Sequence, residues 1–221
     1  LPVDMEQGTI ISATIDRADL RDLLIFKNTK NGFYLDIGAQ HPISNNNTYL
    51  LYKRGWRGVN IDLDKKNIDL FNIARPNEIN LNYAVSNVNG EADLFFYHDA
   101  SPINTLNEKI STFQKAKVSK IKKIHTKTLN NILGSINLKK KINYMNIDVE
   151  GSEEKILEGF DIDKYKPDVI SIEYLDLGMK KLEFKNNDIN NLLNSNLYKF
   201  FINNNYHFIN WLHGDLIFIN K

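Results

Sequence analysis

"FYLDIGAQHPISNNNTYLLYKRGWRGVNID", Phe33–Asp62, is the stretch that decides the fold. It opens on apolar β-formers interrupted by Asp36, passes through a glycine and a polar loop, and reaches "TYLLYKRG". There Tyr49, Leu50, Tyr52 and Lys53 suit a short helix stopped by Gly55. A second β-like run, "GVNID", follows at once. Strand, helix and strand make a βαβ unit, whose right-handed crossover puts both strand ends on one edge of a parallel sheet. The open question is Asp36, because a strand buried on both faces has no use for a lone carboxylate.

Outward from this unit the same alternation continues. "LNYAVS" reads as a strand, and Asn89-Gly90 is expected to turn it into "EADLFFY" as a hairpin. "KKIHTKTLNNILGSI" reads as a strand, a threonine cap at Thr126 or Thr128, and a helix closing near Gly134. "INYMNIDVEG" is the best buried strand. It precedes a helix with Glu153 and Glu154 at its positive end. "PDVISIEYL" is a further strand. In the tail, "YHFINW" and "DLIFIN" are separated by a His-Gly turn at His213, too short for a crossover, so they are expected to pair antiparallel. The expectation is one α/β domain over residues 1–221, with a helical lead-in at 1–31. Residues 98–123, polar and weakly patterned, are expected to form a substrate-facing insertion or lid.

With Lys+Arg 28 against Asp+Glu 27, the formal charge of +1 gives no support to a nucleic-acid partner. The basic stretch Lys115–Lys127 carries interleaved Ile, Val and Ser and reads as a solvated segment ending in a strand. Zero cysteines exclude disulfides and thiolate chemistry and suit a reducing, cytoplasmic setting. No apolar run approaches the ~18 residues of a membrane span. The oligomeric state, a homo-oligomer included, stays open. The asparagine triplets at 45–47 and 203–205 read as loop bias.

Acids mark the ends of four strands: Asp36, Asp62, Asp148 with Glu150, and Glu173. In an open α/β sheet ligands bind outside the carboxyl ends of the strands, where strand order reverses, so these acids are expected to share one cleft. A dinucleotide would need three glycines in the first loop. Gly38-Ala39-Gln40-His41-Pro42 supplies one, which counts against a NAD-type oxidoreductase. A ligand that is cationic at one end and carries a ribose fits better, and S-adenosylmethionine is such a ligand. Asp62 is suited to accept from both ribose hydroxyls. For transfer to an alcohol, Glu150 or His41 could serve as general base. Alternatively Asp148 and Glu173 could hold a divalent cation such as Mg2+, with a third ligand from Asp176 or a histidine. Trp56 reads as a packing aromatic, and His98, His125 and His207 have no partner in sequence.

The opening stretch, "NYAVS" and "IDVEGSEEKILEGFD" together resemble the FkbM family of S-adenosylmethionine-dependent methyltransferases, with "PDVISIEY" at the expected place. The resemblance covers Gly32 to Glu173. One departure is Ile61-Asp62, where the family commonly shows Ile-Glu-Pro. The acid is kept and the proline is lost. The resemblance implies a seven-stranded, class I methyltransferase sheet with helices on both faces and a C-terminal antiparallel hairpin. It implies O-methylation of a small molecule, often a sugar, a nucleotide-activated sugar or glycan precursor, or a polyketide. By position it places Asp36 and Gly38, with Ala39, at the methionine end of the cofactor, and Asn47 and Thr48 in the same loop. Asp62 falls at the ribose, Ala84 and Val85 at the adenine, and Asp148 under the reactive methyl.

Overall fold

The structure is a computed structural model describing residues 26, 29–114, 116–174, 189–212 and 214–221. Most of the lead-in, Asp176 and the His213 turn lie outside the described residues. Strands β1 (Phe33–Ile37), β2 (Arg57–Asp62), β3 (Ile79–Asn82), β7 (Tyr144–Ile147), β8 (Val169–Glu173), β9 (Tyr206–Leu212) and β10 (Asp215–Asn220) form a seven-stranded sheet. Its order is β3-β2-β1-β7-β8-β10-β9. The first five are mutually parallel. β10 runs antiparallel to both β8 and β9. The order reverses between β1 and β7, which makes that crevice the topological switch point of a Rossmann-like sheet.

Side chains alternate across the sheet, as a period of two requires. Leu35, Ile37, Val59, Ile61, Met145, Ile147, Ile170 and Ile172 face one layer, where they meet α4 (Leu129–Ser135), α5 (Glu153–Glu158) and α8 (Asn196–Asn203) through Ile132, Ile156 and Phe201. The opposite face carries Tyr34, Tyr144, Val169 and Ile217, packed against Leu51 of α1 (Tyr49–Lys53), Trp56 and Phe26. Trp56 stands edge-on to Phe26 at 4.8 Å between ring centroids, a packing role. On this second face, two residues along from Tyr34, the register aligns Asn80, Asn60, Asp36, Asn146 and Ser171 across five strands. Asp36 therefore lies inside β1, where all five residues are buried, and belongs to a polar row that crosses the sheet.

The expected hairpin after "NYAVS" does not form. The segment splits at Tyr83. β3 joins the main sheet, whereas β4 (Ala84–Val85) enters a three-stranded sheet of order β4-β6-β5, with β5 Gly90–Phe96 and β6 Lys120–Lys127. β6 lies between β4 and β5, and its charges answer those of β5. Asp93 stands opposite Lys123 with an ion pair of 2.8 Å, and Glu91 stands opposite His125. The loop between β4 and β5 then spends its polar groups on β6: Ser86 N–H donates to Lys127 O, and Thr126 Oγ1 donates to Val88 O. Residues 98–123 are less irregular than their composition suggests. They hold α3 (Glu108–Phe113), capped by the Asn107 side chain, and the first residues of β6. Thr128, not Thr126, caps α4. α2 (Lys65–Ala74) is capped by Asp64.

Candidate active site

At the carboxyl ends of β1, β2 and β7 a cleft is lined by Asp36, Gly38, Ala39, Asn47, Asp62, Val85, Asp148 and Glu150, eight of the residues singled out in the sequence. Thr48, Ala84, His41 and Glu173 are not on its walls. Thr48 is fully buried and turns its hydroxyl to Asp36. Ala84 is buried, and its neighbours Tyr83 and Val85 line the cleft instead. His41 serves its own loop, with Nδ1 accepting from the N–H groups of Ile43 and Ser44 at 3.1 and 3.0 Å. Glu173 adjoins the cleft through Asp148 and Glu150.

Asp36 is 1 % exposed and its carboxylate is closed in by protein donors. Oδ1 accepts from Asn146 Nδ2 at 2.9 Å. Oδ2 accepts from Thr48 Oγ1 at 2.8 Å and Asn46 Nδ2 at 3.2 Å. Burial raises its pKa, and these three bonds together with Arg75 oppose the rise. Arg75, fully buried, fastens the network. Nε and Nη2 donate to Pro42 O, Nη2 to Asn46 Oδ1 at 2.7 Å, and Nη1 to Thr48 Oγ1 at 3.0 Å and Tyr34 Oη at 3.1 Å. All five guanidinium donors are used. The counter-charge is Glu78, 3.7 Å away and bonded to Tyr34 Oη and to Asn60 Nδ2.

The loop after β1 is thus tied down on its inner side by Arg75 and on its outer side by Asp62. Gln40 N–H donates to Asp62 Oδ2 at 2.8 Å. Asp62 Oδ1 accepts from Asp64 N–H at 2.7 Å and Asn67 Nδ2 at 3.1 Å. Three of about four acceptor positions are engaged, which leaves one for a ligand hydroxyl. Burial pushes the Asp62 carboxyl up to about 6 against these bonds. Gly38 has φ of +79°, and a Cβ there would stand 1.7 Å from the Asp148 carbonyl oxygen. The β1 turn and the segment after β7 touch backbone to backbone, which only glycine permits.

After β7 the chain turns through two left-handed residues, Glu150 with φ of 56° and Gly151 with φ of +89°. Such a conformation in a non-glycine residue is sparsely populated and tends to mark functional positions. The turn is held by Thr105 Oγ1, which donates to Glu150 O at 2.7 Å, and by Asn107 Nδ2, which donates to Gly151 O. It brings carboxylate oxygens of Asp148, Glu150 and Glu173 within 4.8 Å of one another. The expected two-acid group is therefore a three-acid group, with Glu150 in the position assigned in sequence to Asp176 or a histidine. Burial, then Glu150, Asp215 and Glu153, hold Asp148 well above the usual carboxylate range. Burial, then Asp148, Glu153, Glu150 and Asp215, do so for Glu173, whose Oε2 has no hydrogen-bond partner among the described residues. Burial and Glu153 push Glu150 to about 7. Like charges this close do not all ionise, so the group stores protons near neutrality.

Asn46, Arg75, Glu78 and Asn146 were not singled out in the sequence. The signal for Asn146 was its place two residues before Asp148 in a strand otherwise apolar. Asn46 lay inside a triplet read as loop bias, whereas Asn46 and Asn47 are both working members of the network: Asn47 Nδ2 donates to Asn146 Oδ1 at 3.0 Å.

A doubly wound sheet with acids gathered at its switch point is the framework of enzymes that bind nucleotide-bearing ligands. This chain belongs to the FkbM methyltransferase family: the methyltransferase FkbM domain matches residues 36–200, a span that takes in the cleft from Asp36 to Ser152. No curated relative and no solved structure matches it. Among the described residues no helix is long and apolar enough to cross a membrane.

Proposed function

We propose that the protein is an S-adenosylmethionine-dependent O-methyltransferase acting on a hydroxyl of a sugar or nucleotide-activated sugar. The observation that carries this reading is the convergence of the Gly38 turn, Asp62 and the Asp148–Glu150 pair on one cleft at the switch point. Asp62 supplies an acceptor for ribose, and Asp148 beyond β7 is the acid we assign beside the sulfonium. In the reaction the methyl–sulfur bond breaks as the methyl–oxygen bond forms, and the acceptor hydroxyl passes its proton to a carboxylate. Glu150, half-protonated near neutrality and presented by a strained turn, is the group we assign as that base. The sugar class rests on the family resemblance and on the polar, Asn- and Asp-rich loops.

A second reading is favoured by one observation: three carboxylates close enough to share an ion, one of them with an unpartnered oxygen. Asp148, Glu150 and Glu173 are hard oxygen ligands of the kind that hold Mg2+, which would lower the pKa of the acceptor hydroxyl. Turnover measured before and after treatment with a chelator separates the two, and an unchanged rate eliminates the cation.

The function is tested by incubating the protein with methyl-labelled S-adenosylmethionine and a panel of nucleotide sugars, then locating the label by mass spectrometry and NMR. Binding of NAD with no binding of S-adenosylmethionine would replace this reading with that of an oxidoreductase.

A further inference from the structure

The segment from His98 to Asn107, expected in the sequence to be part of a lid, runs along the cleft as a strap fixed at both ends. At the β2 end, Ala100 N–H donates to Asp64 Oδ2 at 2.6 Å and Lys66 pairs with Asp99 at 2.7 Å. At the β7 end, Thr105 Oγ1 donates to Glu150 O at 2.7 Å and Asn107 Nδ2 donates to Gly151 O. Between these anchors Ser101, Pro102, Asn104 and Leu106 line the cleft, whereas Thr105, fully buried, and Asn107 do not. Whatever Thr105 and Asn107 do for a ligand therefore passes through the turn that they hold.

Both side chains divide their polar atoms between two tasks. Thr105 Oγ1 accepts from Asn107 N–H at 2.9 Å, a bond within the strap, and sends its own hydrogen to Glu150 O. Asn107 Oδ1 caps α3 by accepting from Lys109 N–H at 3.0 Å, which leaves Nδ2 for Gly151 O. The strap is itself rooted in the small sheet, where Phe95 N–H of β5 donates to Thr105 O at 2.9 Å. One half of each side chain shapes the strap and α3. The other half serves only the turn after β7.

That turn needs holding. With φ of 56°, Glu150 has a backbone that glutamate rarely adopts and that persists only where its surroundings over-determine it. Glu153 Oε1 accepts from the N–H groups of Val149 and Gly151, one on either side of Glu150, at 3.0 and 3.1 Å. The peptide between Glu150 and Gly151 is thus gripped at both ends, its carbonyl by Thr105 and its N–H by Glu153. α3 closes on the same turn: a Cβ on Gly151 would stand 2.3 Å from Cγ1 of the fully buried Ile110.

We propose that Thr105 and Asn107 are positioning residues for Glu150, holding its turn so that the carboxylate faces the acceptor hydroxyl in the cleft. This rests on the reading of Glu150 as the base.

The test uses N107S, T105V and T105S. Serine caps a helix as well as asparagine does but is too short to reach Gly151 O, so Asn107→Ser loses the turn and keeps α3. Valine keeps the shape of threonine without its hydroxyl, and serine restores the hydroxyl. Methyl transfer is measured with the acceptor that the nucleotide-sugar panel yields, and S-adenosylhomocysteine binding by calorimetry. The expected result is kcat lowered about ten- to a hundred-fold in N107S and T105V, with Kd within about two-fold of the wild type and T105S recovered to within about three-fold. In an E150Q background the same substitutions should cost no further kcat, because they act through that side chain. Unchanged kcat in N107S and T105V overturns the proposal, as does a loss of equal size on top of E150Q, the mark of a purely structural role. NMR of the ligand-free proteins decides without any acceptor: backbone couplings and carbon shifts of Glu150 report its φ, and N107S and T105V should lose the left-handed signature that T105S keeps. A signature retained in all three overturns the proposal even where kcat falls. N107S, with α3 still capped, carries the test should T105V fail to fold. If the wild type binds no S-adenosylhomocysteine, the donor reading fails by itself, and the NMR signature still decides whether the strap holds the turn.

Discussion

Asn146 on β7 donates Nδ2 to Oδ1 of Asp36 on β1 at 2.9 Å, and the two residues stand opposite each other in the parallel ladder that flanks the switch point. The bond answers why a buried strand carries an aspartate. Asp36 is the hub through which two neighbouring strands and the loop after β1 are held in one arrangement. The carboxylate oxygen that does not face Asn146 takes Thr48 and Asn46, and both of these are gripped in turn by Arg75. The aspartate thus shapes the loop that lines the cleft.

Asn146→Ala removes one donor from Asp36 and leaves Asn47 Nδ2 without its acceptor. Leaving a buried polar group unsatisfied costs about 1–3 kcal/mol, so the variant should unfold at lower urea with an unchanged slope. Because Asn47 lines the cleft, donor affinity should fall as well, read by titration with S-adenosylhomocysteine.

Arg75→Lys keeps the charge and loses the fork. Lysine has three donors where five are used on four acceptors, so at least one buried acceptor among Pro42, Asn46, Thr48 and Tyr34 goes unmet. Disrupting a buried charged network of this kind costs ~3 kcal/mol or more. The loss should be local first, with amide hydrogen exchange rising between residues 39 and 48 before it rises in β1 or β2. Uniform exchange across the sheet would show that Arg75 supports the whole fold rather than this loop.

Arg75 also shows where sequence reading stops. The parallel core was legible because apolar runs such as "YMNI" and "VISI" have the right length and are bounded by turn residues. The cleft was legible because acids at strand ends converge by topology. What was not legible depends on contacts far apart in the chain. Arg75 meets Pro42, 33 residues away, and Asn146 meets Asp36, 110 residues away, and neither separation leaves a periodic trace. The misread hairpin has the same origin. Asn89-Gly90 is a sound turn signal taken alone, but the residues of β5 and β6 that pair with each other lie about 30 residues apart.

Asp62 predicts a stability that depends on pH. Its folded-state pKa is raised from the ordinary 3.8 to about 6, so the folded protein holds a proton that the unfolded chain has released. The resulting stabilisation is fully present below about pH 4 and is lost as pH rises through about 6, and from this group alone it amounts to about 3 kcal/mol. Asp62→Asn removes the titration. Urea unfolding from pH 4 to 7 should therefore show a shallower decline in stability for Asp62→Asn than for the wild type. Parallel curves would mean that Asp62 keeps an ordinary pKa.

Binding and chemistry should separate between Asp62 and Glu150. Asp62 has one free acceptor position and sits beside the loop after β1, so Asp62→Ala should weaken S-adenosylhomocysteine binding by about ten-fold or more, corresponding to the loss of a bond to a charged group, about 1.5–3 kcal/mol. Glu150 lies among the acids beyond β7, and Glu150→Gln keeps its size and its turn while removing the base. Donor affinity should stay within about two-fold, whereas kcat should drop by about 10²–10⁴. The wild-type kcat should rise with pH around 7, where Glu150 loses its proton, and that inflection should vanish in Glu150→Gln. The opposite pattern, with donor affinity lost in Glu150→Gln and kcat lost in Asp62→Ala at full donor saturation, would exchange the two roles and move the reacting methyl to the β2 side of the cleft.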